Sequence, residues 1–136
     1  MSKRVMVIDD SPFVRRFIEV ALSREGYEVV AVPDGVEALR ALHTPDVRLP
    51  DLILLDLVMP RLDGFEVALK LKEHPRFKAI PLVVLSRRVG LLDRLKVRLC
   101  GIRAYLPKPL RQDDLLAQIV AFIGPAHDER GKTHPG

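Results

Sequence analysis

The chain has 136 residues, of which 48% are hydrophobic and 29% charged, which fits one globular domain and excludes a collagen-like or largely disordered chain. No uncharged stretch approaches the roughly 20 apolar residues of a membrane-spanning helix, and the first residues lead directly into a strand-like run, so we expect neither a membrane span nor a secretion signal. The net charge of +4 leaves nucleic-acid binding open, and the single cysteine, Cys100, fits a packed core thiol in a reducing cytoplasm, where we expect the protein to act.

The first predicted elements are a strand and a helix. Residues 4–8 form a short run rich in β-branched side chains, and Ser11 followed by Pro12 is typical of a helix that begins with a capping hydroxyl and a proline. Apolar residues at helical spacing continue to Leu22, and Gly26 stands where a left-handed residue would end the helix.

The same alternation of strand and helix repeats four more times. Asp34 is predicted as the N-cap of the second helix, with Glu37 three residues later as in a capping box. Residues 52–55 form an unbroken apolar run, typical of a central parallel strand that is covered on both faces. The other predicted elements are strands at 27–32, 81–85 and 102–106, and helices at 35–42, 64–74, 91–100 and 111–123.

The last predicted helix and the residues that follow it differ in pattern. The helix is predicted to present an inner face made of Leu115, Leu116, Ile119, Val120 and Ile123. Residues 124–136 are polar and have no apolar periodicity. We therefore expect one folded domain over residues 1–123 and a disordered tail over residues 124–136.

Five strand–helix units in strict alternation predict an α/β fold, with five parallel strands and helices on both faces of the sheet. In such folds, ligands bind beyond the carboxyl ends of the strands. Polar residues gather there in this sequence: Asp9 and Asp10 end the first strand, Asp56 the third and Ser86 the fourth, and Lys108 follows the fifth.

These residues suggest a shared chemistry. Carboxylates about 4 Å apart repel by roughly 4 kcal/mol at an effective dielectric of 20, so three of them in one cleft favour a bound cation such as Mg²⁺. Lys108 could pair with Asp56 and neutralise a phosphoryl oxygen, to which Ser86 could donate a hydrogen bond. Taken singly, each residue could be a helix cap, a strand end or a turn, but no structural role requires all of them at one edge.

Five segments with these residues resemble the receiver domain of two-component response regulators, and the resemblance covers about residues 3–123. The segments are residues 7–11, 50–60, 63–64, 84–86 and 105–109. Any one of them alone would be a weak signal, but their order and spacing together are specific. The resemblance implies a flavodoxin-like sheet of order 2-1-3-4-5.

The resemblance also implies the roles of individual residues. Asp56 would be phosphorylated by a histidine kinase or a phosphotransfer protein. Mg²⁺ would be held by Asp10, Asp56 and the backbone carbonyl of Val58, with Asp9 nearby or acting through water. The protein would then be a signalling module rather than an enzyme, because it would catalyse only its own phosphotransfer and dephosphorylation.

The remaining implied roles concern the phosphoryl group and the switch. Lys108 and Ser86 would bind the other phosphoryl oxygens. Ser86 would move toward the phosphate and the ring of Tyr105 would turn inward, which would change the surface formed by the fourth helix, the fifth strand and the fifth helix. Plain packing is the alternative for Tyr105, and Pro109 is expected to follow a cis peptide bond.

The sequence departs from the family pattern near Ser86. Arg87 stands where receivers carry a small residue, so it could hinder a phosphodonor or pair with the acidic cluster. In the family, the positions of Val58 and Arg88 tune how fast the phosphate is lost from the phosphorylated aspartate.

Six basic residues between positions 87 and 103, against one acidic residue, indicate either a solvated helix face or an acidic output partner. Without an aromatic platform or a recognition helix, we expect no direct nucleic-acid binding.

The leading hypothesis is a stand-alone receiver that signals to an output partner. A receiver-like scaffold that works without phosphorylation is an alternative, for which Arg87 is the best argument. An aspartyl-phosphate hydrolase of the haloacid-dehalogenase type is less favoured, because such enzymes need a second Asp two residues after the nucleophile and Val58 stands there.

Overall fold

The computed structural model describes residues 2–59, 63–87 and 90–127, without the side chains of residues 91–93. Arg88, which was predicted to tune phosphate loss, lies outside these residues. The elements in chain order are β1 (Arg4–Ile8), α1 (Pro12–Arg24), β2 (Glu28–Val32), α2 (Gly35–Leu42), β3 (Leu52–Asp56), α3 (Gly64–Glu73), β4 (Leu82–Ser86), α4 (Leu91–Leu99), β5 (Ala104–Pro107) and α5 (Gln112–Ile123).

The five strands form one parallel sheet of order β2-β1-β3-β4-β5, which confirms the predicted fold class. The strand order reverses beside β1, because β2 and β3 pair with its two sides. All five residues of β3 are buried, as its uninterrupted apolar sequence predicted.

Local sequence signals determine where the helices begin. The Ser11 hydroxyl accepts a hydrogen bond from the Val14 N–H at 3.2 Å, and Asp34 Oδ1 accepts one from the Glu37 N–H at 2.9 Å. The Glu37 carboxylate contacts Arg40 at 2.8 Å, so the predicted capping box is present only in its first half.

The fifth strand starts later than the sequence suggested. Gly101 has a φ of +73° and ends α4, and the Ile102 N–H donates to the Val97 carbonyl at 3.0 Å. Residue 102 therefore belongs to the end of the helix, and β5 begins at Ala104.

Two apolar layers cover the sheet. One packs under α2, α3 and α4 and contains Ile53 and Leu55, and the other packs under α1 and α5 and contains Leu52 and Leu54, as alternation along a strand requires. Cys100 is buried in the first layer, which confirms its predicted role.

The inner face of α5 is narrower than predicted. Leu115 and Ile119 are fully buried, but Val120 is 48% exposed. Consecutive helical residues are about 100° apart, so the residue after Ile119 already points away from the sheet.

The start of the predicted tail is packed. The Tyr27 hydroxyl donates to the Gly124 carbonyl at 2.6 Å, the Lys3 N–H donates to the Ala126 carbonyl at 2.8 Å, and Ala126 is buried. Residues 124–127 thus differ from the predicted disorder, and residues 128–136 lie outside the described part. Among the described helices, none combines the length and the apolar character that crossing a membrane requires.

Candidate functional site

The carboxyl ends of β1 and β3 bring three acidic side chains together. Ile8 is paired with Leu55, so the residues that follow them, Asp9 and Asp56, lie side by side. Carboxylate oxygens of Asp9, Asp10 and Asp56 are all within 4.8 Å of one another. Asp9 and Asp56 are buried, whereas Asp10 is exposed, so the cluster has a deep end and a solvent-facing end.

Lys108 provides the positive charge that faces this cluster. Its Nζ lies 2.8 Å from Asp9 Oδ2 and 3.5 Å from Asp56 Oδ2. The Lys108 N–H donates to the Ser86 carbonyl at 2.8 Å, and the peptide bond between Lys108 and Pro109 is cis, as expected. The sequence suggested Asp56 as the partner of Lys108, but the shorter contact is with Asp9.

Asp9 is held from three directions. Its Oδ1 accepts a hydrogen bond from the Ser11 N–H at 2.9 Å, its N–H donates to the Val32 carbonyl at 3.2 Å, and its carbonyl accepts from Arg15 Nη1 at 2.7 Å. The sequence did not single out Arg15, because a basic residue in the first turn of a helix usually faces solvent. Only the tertiary structure shows that it fixes the backbone of Asp9.

The carboxyl group of Asp56 is buried beside other acids, which makes its charged form costly. Its Oδ1 accepts a hydrogen bond from the Val58 N–H at 3.2 Å. Burial and the neighbouring charge of Asp9 raise the pKa of Asp56 from 3.8 to about 6, despite the opposing effects of Lys108 and of that hydrogen bond. Asp56 is therefore an unusually basic carboxylate within reach of an ammonium group.

Gly64 holds the backbone that carries Asp56. A Cβ atom on Gly64 would lie 2.4 Å from the Asp56 carbonyl oxygen and 2.7 Å from Leu57 Cα, and the Gly64 N–H donates to the Leu57 carbonyl at 3.1 Å. The start of α3 thus packs directly on the end of β3. This close contact gives a physical reason for glycine at position 64, which is part of the motif at residues 63–64.

The other predicted residues lie around the cluster at different depths. Ser86 is buried at the end of β4, whereas Val58 is 78% exposed and Tyr105 is 41% exposed. Arg87 is exposed and makes no ion pair with any described residue. It lines a cleft of about 530 Å³ together with Lys108 and residues of α1 such as Phe13.

The donors fit a divalent cation. Three carboxylates provide hard oxygen ligands, and one of them is exposed, as a partly hydrated ion such as Mg²⁺ prefers. Asp9 Oδ2 is buried and lies 2.8 Å from the Lys108 ammonium, so one positive charge already faces the deep end of the cluster. Three carboxylates against this one ammonium leave negative charge that a divalent cation could neutralise.

Comparison with known proteins places the sequence in one family. Residues 5–120 match the family model of the response regulator receiver domain. Protein PilG of Pseudomonas aeruginosa is 38% identical over 120 residues, which cover 88% of this chain and 87% of that protein. Response regulator MprA of a Mycobacterium species is 36% identical over 135 residues, and the match spans 56% of the length of that relative.

Solved structures agree with the sequence comparison. The chemotaxis protein CheY4 of Vibrio cholerae superposes with a TM-score of 0.84 at 26% identity, covering 90% of this chain and all of that one. The receiver domain of the sensor histidine kinase PA1611 of P. aeruginosa, solved with a magnesium ion coordinated in the active site cleft, gives a TM-score of 0.81 at 27% identity and covers 91% of this chain and 99% of that one. With fold, sequence and acidic cleft in agreement, the chain belongs to the response regulator receiver family of two-component signalling.

Proposed function

We propose that this chain is a receiver module that accepts a phosphoryl group on Asp56 from a histidine kinase or a phosphotransfer protein and signals the change to an output partner. The observation that carries the proposal is the buried Asp56 carboxylate, which lies among like charges and faces the Lys108 ammonium at 3.5 Å. Phosphorylation on an aspartate is general for the family, and the position of Asp56 at the end of β3 beside the Lys108 ammonium supports it as the residue that accepts the group.

The transfer itself is an in-line displacement. An ionised oxygen of Asp56 attacks phosphorus, the bond from phosphorus to the donor imidazole nitrogen breaks, and the imidazole leaves with the electron pair of that bond. With a pKa of about 6, Asp56 is mostly ionised at neutral pH. The chain supplies positioning and charge neutralisation, which account for most of the catalysis of phosphoryl transfer.

Lys108 and Ser86 would bind the transferred group. Lys108 Nζ contacts both buried carboxylates and can shift toward a phosphoryl oxygen when one arrives. Ser86 ends β4, which pairs with β3 through Asp56 and Leu85, so its hydroxyl lies on the neighbouring strand at the same edge.

Asp10 and Asp56 would hold Mg²⁺ together with the backbone carbonyl of Val58, and Asp9 would contribute directly or through water. When bound, the ion supplies positive charge, because one ammonium group does not neutralise three carboxylates. The convergence of the carboxylate oxygens of Asp9, Asp10 and Asp56 within 4.8 Å of one another supports this assignment.

The switch would use Ser86 and Tyr105. The ring of Tyr105 is partly exposed. It would turn from solvent toward the interior when the hydroxyl of Ser86 moves toward the phosphate. Such a movement would change the surface of α4, β5 and α5. Val58 and Arg87, which flank the site, would tune access to the phosphate and its lifetime.

Incubation with acetyl phosphate and Mg²⁺, followed by intact-mass measurement and peptide mapping, tests the proposal. The wild-type protein should gain the mass of one phosphoryl group on Asp56, and Asp56→Asn should gain none. Asp51→Asn is a matched control at the opposite edge of the sheet and should be phosphorylated like wild type. An adduct that persists in Asp56→Asn, or rapid turnover of phosphomonoesters, would contradict the proposal.

A further inference from the structure

The exposed side of α4 combines apolar and basic side chains. Leu95 is 52% exposed and Leu99 is 84% exposed, and residues four apart share one face of a helix. Arg94, Lys96 and Arg98 lie between and beside them, and all three are exposed. An exposed leucine alone is ordinary, but two on one helix face within a basic surface are typical of an interaction site.

Helix α3 extends this surface. Lys96 Nζ lies 5.3 Å from the centre of the Phe65 ring, and the side chain of Lys72 packs on Gly101, where a Cβ would meet Lys72 Cε at 2.8 Å. These two contacts show that α3 and α4 are neighbours, because each joins residues that are about thirty positions apart in the sequence. Leu69 lies one helical turn from both Phe65 and Lys72 on the same flank of α3, and it is 47% exposed.

These residues define a groove between α3 and α4, which we call the α3–α4 groove. Its apolar residues are Phe65, Leu69, Leu95 and Leu99, and its basic residues are Lys72 and Lys96.

The acidic side chains of the helical residues described in α3 and α4 are Glu66 and Glu73, both on the exposed side of α3. The described charged side chains on the α4 side of the groove are therefore positive, and those of α3 include both positive and negative groups.

We propose that the α3–α4 groove docks an acidic amphipathic segment of a partner protein. Apolar side chains of the segment would cover Leu69 and Leu99, and its carboxylates would face Lys72 and Lys96. Charge complementarity selects this occupant, because α4 carries three basic residues, Arg94, Lys96 and Arg98, against one acidic residue, Asp93.

A cleft connects the groove to the candidate site. It has a volume of about 330 Å³, and its lining includes Ser86, Asp63, Phe65 and Lys96. A movement of Ser86 toward a phosphate would therefore change a cleft that two residues of the groove, Phe65 and Lys96, also line. This coupling, unlike the docking itself, rests on the proposed function.

Binding of synthetic peptides to the full chain tests the proposal. The probe is a helical peptide with leucines at positions i, i+4 and i+7 and glutamates on both flanks. One comparison peptide has lysines in place of the glutamates, and a second has serines in place of the leucines. Fluorescence anisotropy gives the affinities, and NMR shift changes locate the binding surface.

We expect the acidic peptide to bind most tightly, with shifts at Leu69 and Leu99. Leu99→Ser should weaken binding at least about tenfold, because it removes the most exposed anchor, and Lys96→Glu should weaken it about fivefold or more. Val120→Ser, which replaces an exposed apolar residue on α5, is the matched control and should stay within about twofold of wild type. Thermal unfolding of each variant should show that it remains folded.

Other outcomes would overturn the inference. These are equal binding of the acidic and basic peptides, shifts located away from α3 and α4, an affinity unchanged by Leu99→Ser, binding to anionic lipid vesicles alone, and self-association that Leu99→Ser abolishes. A separate titration with beryllofluoride and Mg²⁺ tests the coupling. If the peptide binds but beryllofluoride does not alter its affinity, the docking site stands and its link to phosphorylation fails.

Discussion

The amino ends and the carboxyl ends of the strands, called here the amino edge and the carboxyl edge of the sheet, carry charged residues in opposite arrangements. At the amino edge, Arg4 and Arg48 contact the two carboxylate oxygens of Glu28 at 3.0 and 2.6 Å, and the Arg4 N–H donates to Asp51 at 2.8 Å. The hydrogen bond from Arg4, together with the charges of both arginines, lowers the pKa of Glu28. Here each carboxylate has a cationic or N–H partner at the surface.

At the carboxyl ends of the strands, Asp9, Asp10 and Asp56 lie together, and the ammonium group of Lys108 contacts the two buried acids, Asp9 and Asp56. The pKa of Asp56 is raised rather than lowered. The balance between negative and positive charges, and not the number of charges, therefore distinguishes a structural cluster from a functional one. Matched charges fix the strands, whereas the unmatched carboxylates favour a cation or a proton.

The largest expected effect comes from removing the charge of Asp56. Without metal at about pH 7.5, Asp56→Asn should raise the free energy of unfolding by an amount on the order of 3 kcal/mol, because a pKa of about 6 in place of 3.8 disfavours the ionised folded state. Urea denaturation in the presence of a chelator measures this difference.

The pH dependence has a definite sign. The folded protein holds a proton on Asp56 more tightly than the unfolded chain does, so the penalty is complete above about pH 6 and disappears as the pH falls toward 4. The advantage of Asp56→Asn should therefore fall to about a third near pH 4.5. Asp51→Asn at the amino edge is the control and should show no such gain, and a gain that is constant with pH would refute the raised pKa.

A smaller effect should follow from Gly64→Ala. The new methyl group would meet the Asp56 carbonyl and the Leu57 backbone, neither of which can move freely, so the variant should lose roughly 1–3 kcal/mol of stability and also bind Mg²⁺ more weakly. Thermal unfolding and calorimetric titration measure the two losses.

Gly124→Ala is the comparison for this variant. Gly124 has a φ of +78°, so alanine is strained there too, but the neighbouring atom is the mobile end of Lys3. Because a φ of +78° with a ψ of −173° is a conformation that almost only glycine adopts, the variant should cost roughly 1–3 kcal/mol and leave Mg²⁺ affinity unchanged. Equal losses of Mg²⁺ affinity in both variants would show that Gly64 does not position Asp56.

The smallest effect is expected at the amino edge. Glu28→Gln removes an exposed carboxylate from between two arginines, so stability should fall slightly, and the loss should shrink as salt is added. Urea denaturation at low and high salt measures it. A loss as large as the gain in Asp56→Asn would break the contrast between the two edges.

Much of the fold could be predicted because its signals are local. Ser11 and Asp34 mark helix starts with their own side chains, and Gly26, at a φ of +91°, ends the first helical segment. The five candidate residues were found because parallel strands align their carboxyl ends, so the last residue of each strand must face the same cleft.

The remaining features depend on contacts between distant segments. No local pattern shows that Arg15 reaches the Asp9 carbonyl, or that Gly64 packs on the Asp56 carbonyl. No local pattern shows either that the Lys108 ammonium lies nearer to Asp9 than to Asp56. The exposure of Val120 depends on how α5 is rotated about its axis over the sheet. Apolar spacing alone predicts the buried face of a helix only to within about one residue.

Calorimetric titration of Mg²⁺ into the wild-type protein, at about pH 7.5 and about pH 5, tests the central claim most directly. The claim is that the unmatched carboxylates around Asp56 form a cation site. We expect one site at the higher pH and an affinity about tenfold lower at the lower pH, where a proton occupies most of the Asp56 population. Asp56→Asn should bind weakly at both values, and an affinity that is absent, independent of pH or unchanged in this variant would contradict the account.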